Sequence, residues 1–123
     1  MGTSALIVAR PGPMRDGLHA LVSAMPQIHA VQEADDVASA LKMALEGCPA
    51  LVLMESTPGG NDVWKAMRRV KARWPMAPCI FLANDVQQHQ EAKAAGADVV
   101  LLEGFPAGRL VAAIVGLLPQ PIA

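Results

Sequence analysis

A chain of 123 residues is the size of one domain, and 53% hydrophobic against 17% charged residues predicts a packed core rather than disorder. Ten Lys and Arg against 11 Asp and Glu give a formal net charge of -1, and aromatic residues are 3% with no Tyr. That balance argues against a nucleic-acid surface or a base-stacking platform as the main function.

The start, Met-Gly-Thr-Ser-Ala-Leu-Ile-Val, carries no basic segment and reads as a first strand rather than a signal peptide. Its apolar run is Ala5–Ala9. A helical stripe follows at Met14, Leu18, Leu21, Val22 and Met25. A weaker apolar run, Ile28–Val31, is the second predicted strand. Val37, Leu41, Ala44 and Leu45 then mark a second helix, which Asp35 or Asp36 caps and Gly47 closes. Leu51–Met54 is the third strand. Asp62 caps a third helix whose apolar stripe is Val63, Met67, Val70 and Trp74. Pro75 and Pro78 bracket the entry to a fourth strand, Cys79–Ala83. Val86–Ala95 is the weakest helix, capped by Asp85, closed by Gly96 and carrying Gln87, Gln88, His89 and Gln90 in a row; it is expected to be exposed and poorly anchored. Val99–Leu102 is the fifth strand. Pro106 suits the first turn of a last helix with Leu110, Ile114, Leu117 and Leu118 inward.

Four of the five strands are apolar at consecutive positions, so both of their faces must be covered, which is the mark of a parallel sheet. The alternation predicts an α/β fold, a (βα)5 doubly wound parallel sheet of order 2-1-3-4-5, in a single domain with its core at about residues 4–118. No apolar run reaches the roughly 18 residues that a membrane span needs. In such a sheet the functional crevice lies at the carboxyl ends of the strands, at Ala9 and Arg10, Glu55–Gly60, Ala83–Asp85 and Glu103–Pro106.

Outside that rim the residues point to ordinary roles. Cys48 and Cys79 read as reduced thiols of a cytoplasmic protein, with no His/Asn constellation beside them. His19, His29 and His89 show no metal-ligand spacing, and His19 and His89 read as solvated helix residues. Pro58-Gly-Gly-Asn61 lacks the spacing of a phosphate-binding loop and reads as a strand-to-helix turn. Lys65, Arg68, Arg69, Lys71 and Arg73 read as the solvated face of the third helix, with a weak anionic partner surface as the alternative.

Val8-Ala-Arg-Pro-Gly-Pro-Met-Arg-Asp-Gly-Leu18, Glu33-Ala-Asp-Asp36, Pro49-Ala-Leu-Val-Leu-Met-Glu55, Lys71-Ala-Arg-Trp-Pro75, Ala94-Ala-Gly-Ala-Asp98 and Leu110-Val-Ala-Ala-Ile114 occur in this order. Together they resemble a response-regulator receiver (CheY-like, flavodoxin-like) domain of the NarL/LuxR type. The resemblance implies a phosphoacceptor Asp at the end of the third strand, Mg²⁺ held by an acidic pair at the end of the first, a Thr/Ser after the fourth and a Lys after the fifth. In this sequence the acidic pair falls on Ala9 and Arg10, the acceptor on Glu55, the Thr/Ser on Ala83 and the Lys on Glu103. Anchoring on Pro58 instead moves the acceptor to Met54, again not an aspartate.

Mg²⁺ prefers octahedral oxygen ligation with one or two carboxylates. Arg10 stands where the metal would sit, and Glu103 would repel a phosphate instead of clamping it. Loss of Mg²⁺ binding and of phosphorylation is therefore expected, with Arg10 reaching Glu55, Glu103 or both as an internal replacement for the ion; drifted surface residues at the loop ends are the alternative. Glu55 as a mimic of a phosphorylated Asp is weakened by Ala83 and Glu103, and Val100 falls where the family carries a switch aromatic. The resemblance also implies a contact face, formed either by the fourth helix, fifth strand and fifth helix or by the first and fifth helices; on the former, Gln87, Gln90, Lys93, Val100 and Arg109 are the candidates.

The reading is a non-enzymatic, degenerate receiver acting as a protein-interaction module in bacterial signalling. Its expected partner is a kinase, a transcription regulator or a second copy of itself, with no cofactor and no direct contact to nucleic acid or membrane. A phospho-responsive receiver using Glu55, Ser56 or Thr57, and a small α/β ligand-binding protein using the same crevice, are the alternatives.

Overall fold

The computed structural model describes residues 3–43, 48–56 and 63–118. Five strands and five helices alternate: β1 Ser4–Val8, α1 Pro13–Ser23, β2 Ala30–Ala34, α2 Val37–Leu41, β3 Leu51–Glu55, α3 Val63–Arg73, β4 Cys79–Ala83, α4 Val86–Ala94, β5 Val99–Leu102 and α5 Ala107–Leu117. All strand pairs are parallel and the sheet order is β2-β1-β3-β4-β5, as expected.

Successive residues of the central strands serve opposite faces. Leu6, Val8, Val52, Met54 and Phe81 pack with Ala40, Val63, Met67, Val70, Trp74 and Ala92 of the α2, α3 and α4 layer. Ala5, Ile7, Leu51, Leu53, Ile80 and Leu82 pack with Leu18, Val22, Leu110, Ile114 and Leu118 on the α1 and α5 side. The consecutive apolar runs are thus the consequence of two covered faces. No described helix is long and apolar enough to cross a membrane.

The bounds of β2, the start of α5 and the position of Met14 differ from the sequence reading. β2 covers Ala30–Ala34 rather than Ile28–Val31. It is an edge strand paired only with β1, so it alternates in burial and admits Gln32 and Glu33, while buried Ile28 belongs to the preceding turn through its N–H to the Met25 carbonyl. Pro106 is the N-cap of α5, one residue before its first turn. Met14 is 43% exposed, so the inward stripe of α1 rests on Leu18 and Val22.

The caps follow the expected chemistry. The Asp36 carboxylate accepts the Ser39 N–H (2.7 Å) and the Asp85 carboxylate accepts the Gln88 N–H (2.8 Å). α4 is exposed as expected, yet it is anchored through Ala92 and Ala95. Its end is closed by Gly96 (φ 109°), with the Gly96 N–H on the Lys93 carbonyl and the Ala97 N–H on the Ala92 carbonyl. Asp62, Ala44, Leu45 and Gly47 lie outside the described residues.

Candidate functional site

The carboxyl ends of β1, β3, β4 and β5 bring Ala9, Arg10, Glu55, Ala83 and Glu103 to one rim of the sheet. Ala9 is the last residue held by the ladder: its N–H donates to the Ala34 carbonyl (3.0 Å) and its methyl is buried on the α1 and α5 side. Arg10 lies just past that bond, where the chain turns through Pro11, Gly12 and Pro13 into α1. Its side chain is exposed and, among the described residues, it makes no ion pair. The expected bridge from Arg10 to Glu55 or Glu103 is therefore not formed.

The cation that serves this end of the rim is Arg15, in the first turn of α1. Its Nη1 donates to Asp35 Oδ1 (2.6 Å) and to the Ala9 carbonyl (3.3 Å), and its Nε lies 3.7 Å from Glu33 Oε2. His19, one turn on, places Nδ1 3.1 Å from the same Glu33 oxygen, so this helix residue, its side chain 44% exposed, is also a partner of β2. Sequence reasoning missed this cluster. The available signal was the i, i+4 spacing of Arg15 and His19 opposite the alternating acids Glu33 and Asp35.

Glu55 ends β3 half-buried, and Ser56 beside it is buried, its N–H on the Leu82 carbonyl and its hydroxyl accepting from Asn84 Nδ2 (3.4 Å). Among the described residues, Glu55 and Ser56 line a cavity of about 540 Å³ with Val8, Met54 and Phe81 at its floor, Asp35 and Asp36 on one side, and Val63, Lys65, Ala66 and Arg69 of α3 on the other. The Ser39 N–H holds the Asp36 carboxyl below the usual carboxylate range. Thr57 lies outside the described residues.

Ala83 is buried and presents a methyl at the end of β4; its carbonyl accepts the Glu103 N–H (2.8 Å). The exposed Glu103 borders a second, shallower depression of about 290 Å³ with His89, Val100, Leu102, Phe105 and Arg109. Gln87, Gln90, Lys93 and Arg109 are exposed as expected, but Val100 is only 8% exposed and belongs to the core against α3 and α4. Leu102 lies on the same face of β5 as Val100 but ends the strand, and it is 40% exposed, with Val86 (61%) at the start of α4.

Among the described residues, those at this rim do not fit a Mg²⁺ ion. The end of β1 supplies a methyl group and an outward guanidinium, Asp35 is held by Arg15, and Asp36 is held by the Ser39 amide. Among the described residues no three His, Cys, Asp or Glu side chains converge as a ligand set.

No protein-family profile matches the chain, and no curated protein matches its sequence. Solved structures match closely in shape. A two-component response regulator from Clostridium difficile superposes with a TM-score of 0.78 at 16% identity, covering 94% of both chains. A LuxR-family two-component response regulator from Aurantimonas sp. SI85-9A1 gives 0.77 at 24% identity, covering 95% of this chain and 85% of that one. NtrX from Brucella abortus, in complex with ATP, gives 0.78 at 23% identity; the chain aligns over 96% of its own length and 27% of NtrX. The fold is that of the receiver domains of these response regulators.

Proposed function

We propose that this chain is a degenerate receiver domain of a two-component signalling protein that works without phosphorylation and without enzymatic activity, as a protein-interaction module. The observation that carries this reading is the chemistry of the rim: Ala9, Arg10, Ala83 and Glu103 occupy the ends of β1, β4 and β5 around Glu55. A phosphoryl group on Glu55 would meet no metal ligands at β1, no hydroxyl at residue 83 and a carboxylate at residue 103. A Glu55 acting as a permanent phosphoryl mimic would lack the same two sensing groups.

The partner, a kinase, a transcription regulator or a second copy, meets the α4–β5–α5 face. There Val86 and Leu102 supply exposed apolar area and Gln87, Gln90, Lys93 and Arg109 a polar rim. Acetyl phosphate or beryllofluoride with Mg²⁺ tests the reading. Amide resonances around Glu55 stay in place and intact mass shows no phosphoryl adduct; saturable shifts there would overturn it.

A second reading, a small-molecule binder, is favoured by the cavity of about 540 Å³ beside Glu55. Its mixed wall of Asp35, Asp36, Lys65 and Arg69 suits a zwitterionic metabolite. A thermal-shift screen of amino acids and nucleotides decides between the two readings: a hit abolished by Glu55→Ala selects this one.

A further inference from the structure

α3 holds five of the chain's 10 Lys and Arg and none of its 11 Asp and Glu. The rest of the chain therefore sets five cations against eleven acids, and the positive charge is concentrated on one helix about 16 Å long. The fold uses little of it. Val63, Met67, Val70 and Trp74 seat the helix, Lys71 is tied through Asp98 (3.0 Å) and the Ala77 carbonyl (3.1 Å), and Arg73 stacks 5.1 Å from the Trp74 ring centroid. Arg68, Arg69 and Arg73 are exposed, and among the described residues no carboxylate lies within ion-pair distance of them. Arg69 and Arg73 form a like-charge i, i+4 pair, an arrangement that lowers helix stability when nothing neutralises it.

The same face carries an aromatic anchor. Trp64 is 43% exposed, unlike Trp74 at 2%, and the Arg68 guanidinium stacks 5.8 Å from its ring centroid. Trp64, Arg68 and the small Ala72 follow at i, i+4, i+8 and form one outward row; Arg69 and Arg73 lie in the row beside it. Trp and Arg are the residues that most often dominate binding energy at protein interfaces.

We propose that this outer face of α3 is a docking surface for an acidic segment of a partner protein, with an apolar side chain against Trp64 and carboxylates on Arg68, Arg69 and Arg73. The occupant is a short peptide or helix rather than a nucleic acid. A polyanion longer than the helix would run onto the remaining surface, where acids outnumber cations by eleven to five. This face is separate from the α4–β5–α5 face assigned above.

A fluorescein-labelled peptide of repeated Glu-Glu-Leu is the probe, read by anisotropy and by amide shifts of the full chain. Saturable binding that weakens with salt and moves the amides of Trp64, Arg68 and Ala72 is expected. Arg68→Glu with Arg69→Glu weakens it about tenfold or more, the rough scale of replacing attraction by like-charge contact. Trp64→Ala weakens it several-fold, with circular dichroism and melting unchanged for both variants. Val86→Asp with Leu102→Asp leaves this binding intact, which separates this proposal from the reading of the α4–β5–α5 face. Absence of saturable binding, indifference to the charge reversal, tighter α3-dependent binding of duplex DNA or anionic vesicles, or α3-dependent self-association in sedimentation would each overturn it.

Discussion

The Arg15 guanidinium lies 2.6 Å from the Asp35 carboxylate and ties the first turn of α1 to the carboxyl end of β2. A cation in a helix's first turn opposes the helix dipole, so Arg15 is held there by tertiary contacts. Its side chain is 16% exposed against 63% for Asp35, placing the pair between the exposed and buried regimes. Arg15→Ala should cost about 1–2 kcal/mol in urea unfolding, between those two regimes. Arg10→Ala should stay within about 0.5 kcal/mol of the parent, as exposed unpaired residues do.

That contrast locates what the amino-acid order makes legible. Consecutive apolar runs such as Leu51–Met54 and Cys79–Ala83 announce strands covered on both faces, and the Asp36 and Asp85 caps are local, so both can be read without coordinates. The destination of a long side chain is not local. Arg10 lies in the β1–α1 connection and Arg15 in the first turn of α1, and only the turn after Ala9 decides that the first faces solvent and the second returns over the sheet. The start of β2 is hidden for a related reason: an edge strand pairs on one side and keeps polar residues, so the apolar run marks the buried turn at Ile28 instead.

The two cap carboxylates give a graded test. Asp85→Ala should remove about 1 kcal/mol by loss of the Gln88 contact and fray the start of α4. For Asp36, the Ser39 amide lowers the folded pKa below the ordinary 3.8. Its contribution is fully present above that value and is lost as pH falls through the lower folded one. An acid unfolding series of Asp36→Ala should therefore lose part of the parent's pH dependence below pH about 4.

Cys79 is buried at the start of β4 and Cys48 is exposed before β3. Burial pushes the Cys79 thiol up to about 11, with Lys71 opposing and Asp98 reinforcing the shift. One thiol per chain, Cys48, should react rapidly with an aromatic disulfide reagent near neutral pH, and Cys79 only on unfolding. A thiol whose folded pKa is raised stabilises fully below its ordinary value, 9.0, and loses that contribution as pH rises toward about 11. Cys79→Ala should flatten that alkaline decline in a melting series.

If side-chain chemistry alone separates this rim from a phosphorylatable one, exchanging it restores activity on the same fold. Ala9→Asp, Arg10→Asp, Glu55→Asp, Ala83→Thr and Glu103→Lys together should produce Mg²⁺ uptake by calorimetry and a phosphoryl adduct with acetyl phosphate, where the parent shows neither. Glu103→Lys alone should produce neither, because it supplies the clamp without the metal ligands.

The opposite end of the sheet carries a clasp whose strength can be divided. Asp98 Oδ2 accepts the Cys79 N–H (2.7 Å) and Lys71 Nζ (3.0 Å), while the Asp98 N–H donates to the Cys79 carbonyl (2.9 Å). Gly96 sets this up: its φ of 109° turns the chain out of α4 and delivers Asp98 to β4 two residues later. Asp98→Ala leaves the Cys79 amide and the Lys71 ammonium without that acceptor and should cost about 2 kcal/mol, the range for hydrogen bonds to a charged group. Asp98→Asn keeps an acceptor for the amide and weakens only the pairing with Lys71, so its cost should be about half of that. Native-state hydrogen exchange separates the two effects. The Cys79 amide should exchange faster in Asp98→Ala and keep its protection in Asp98→Asn, and equal exchange in both variants would place the clasp's strength in the ion pair instead.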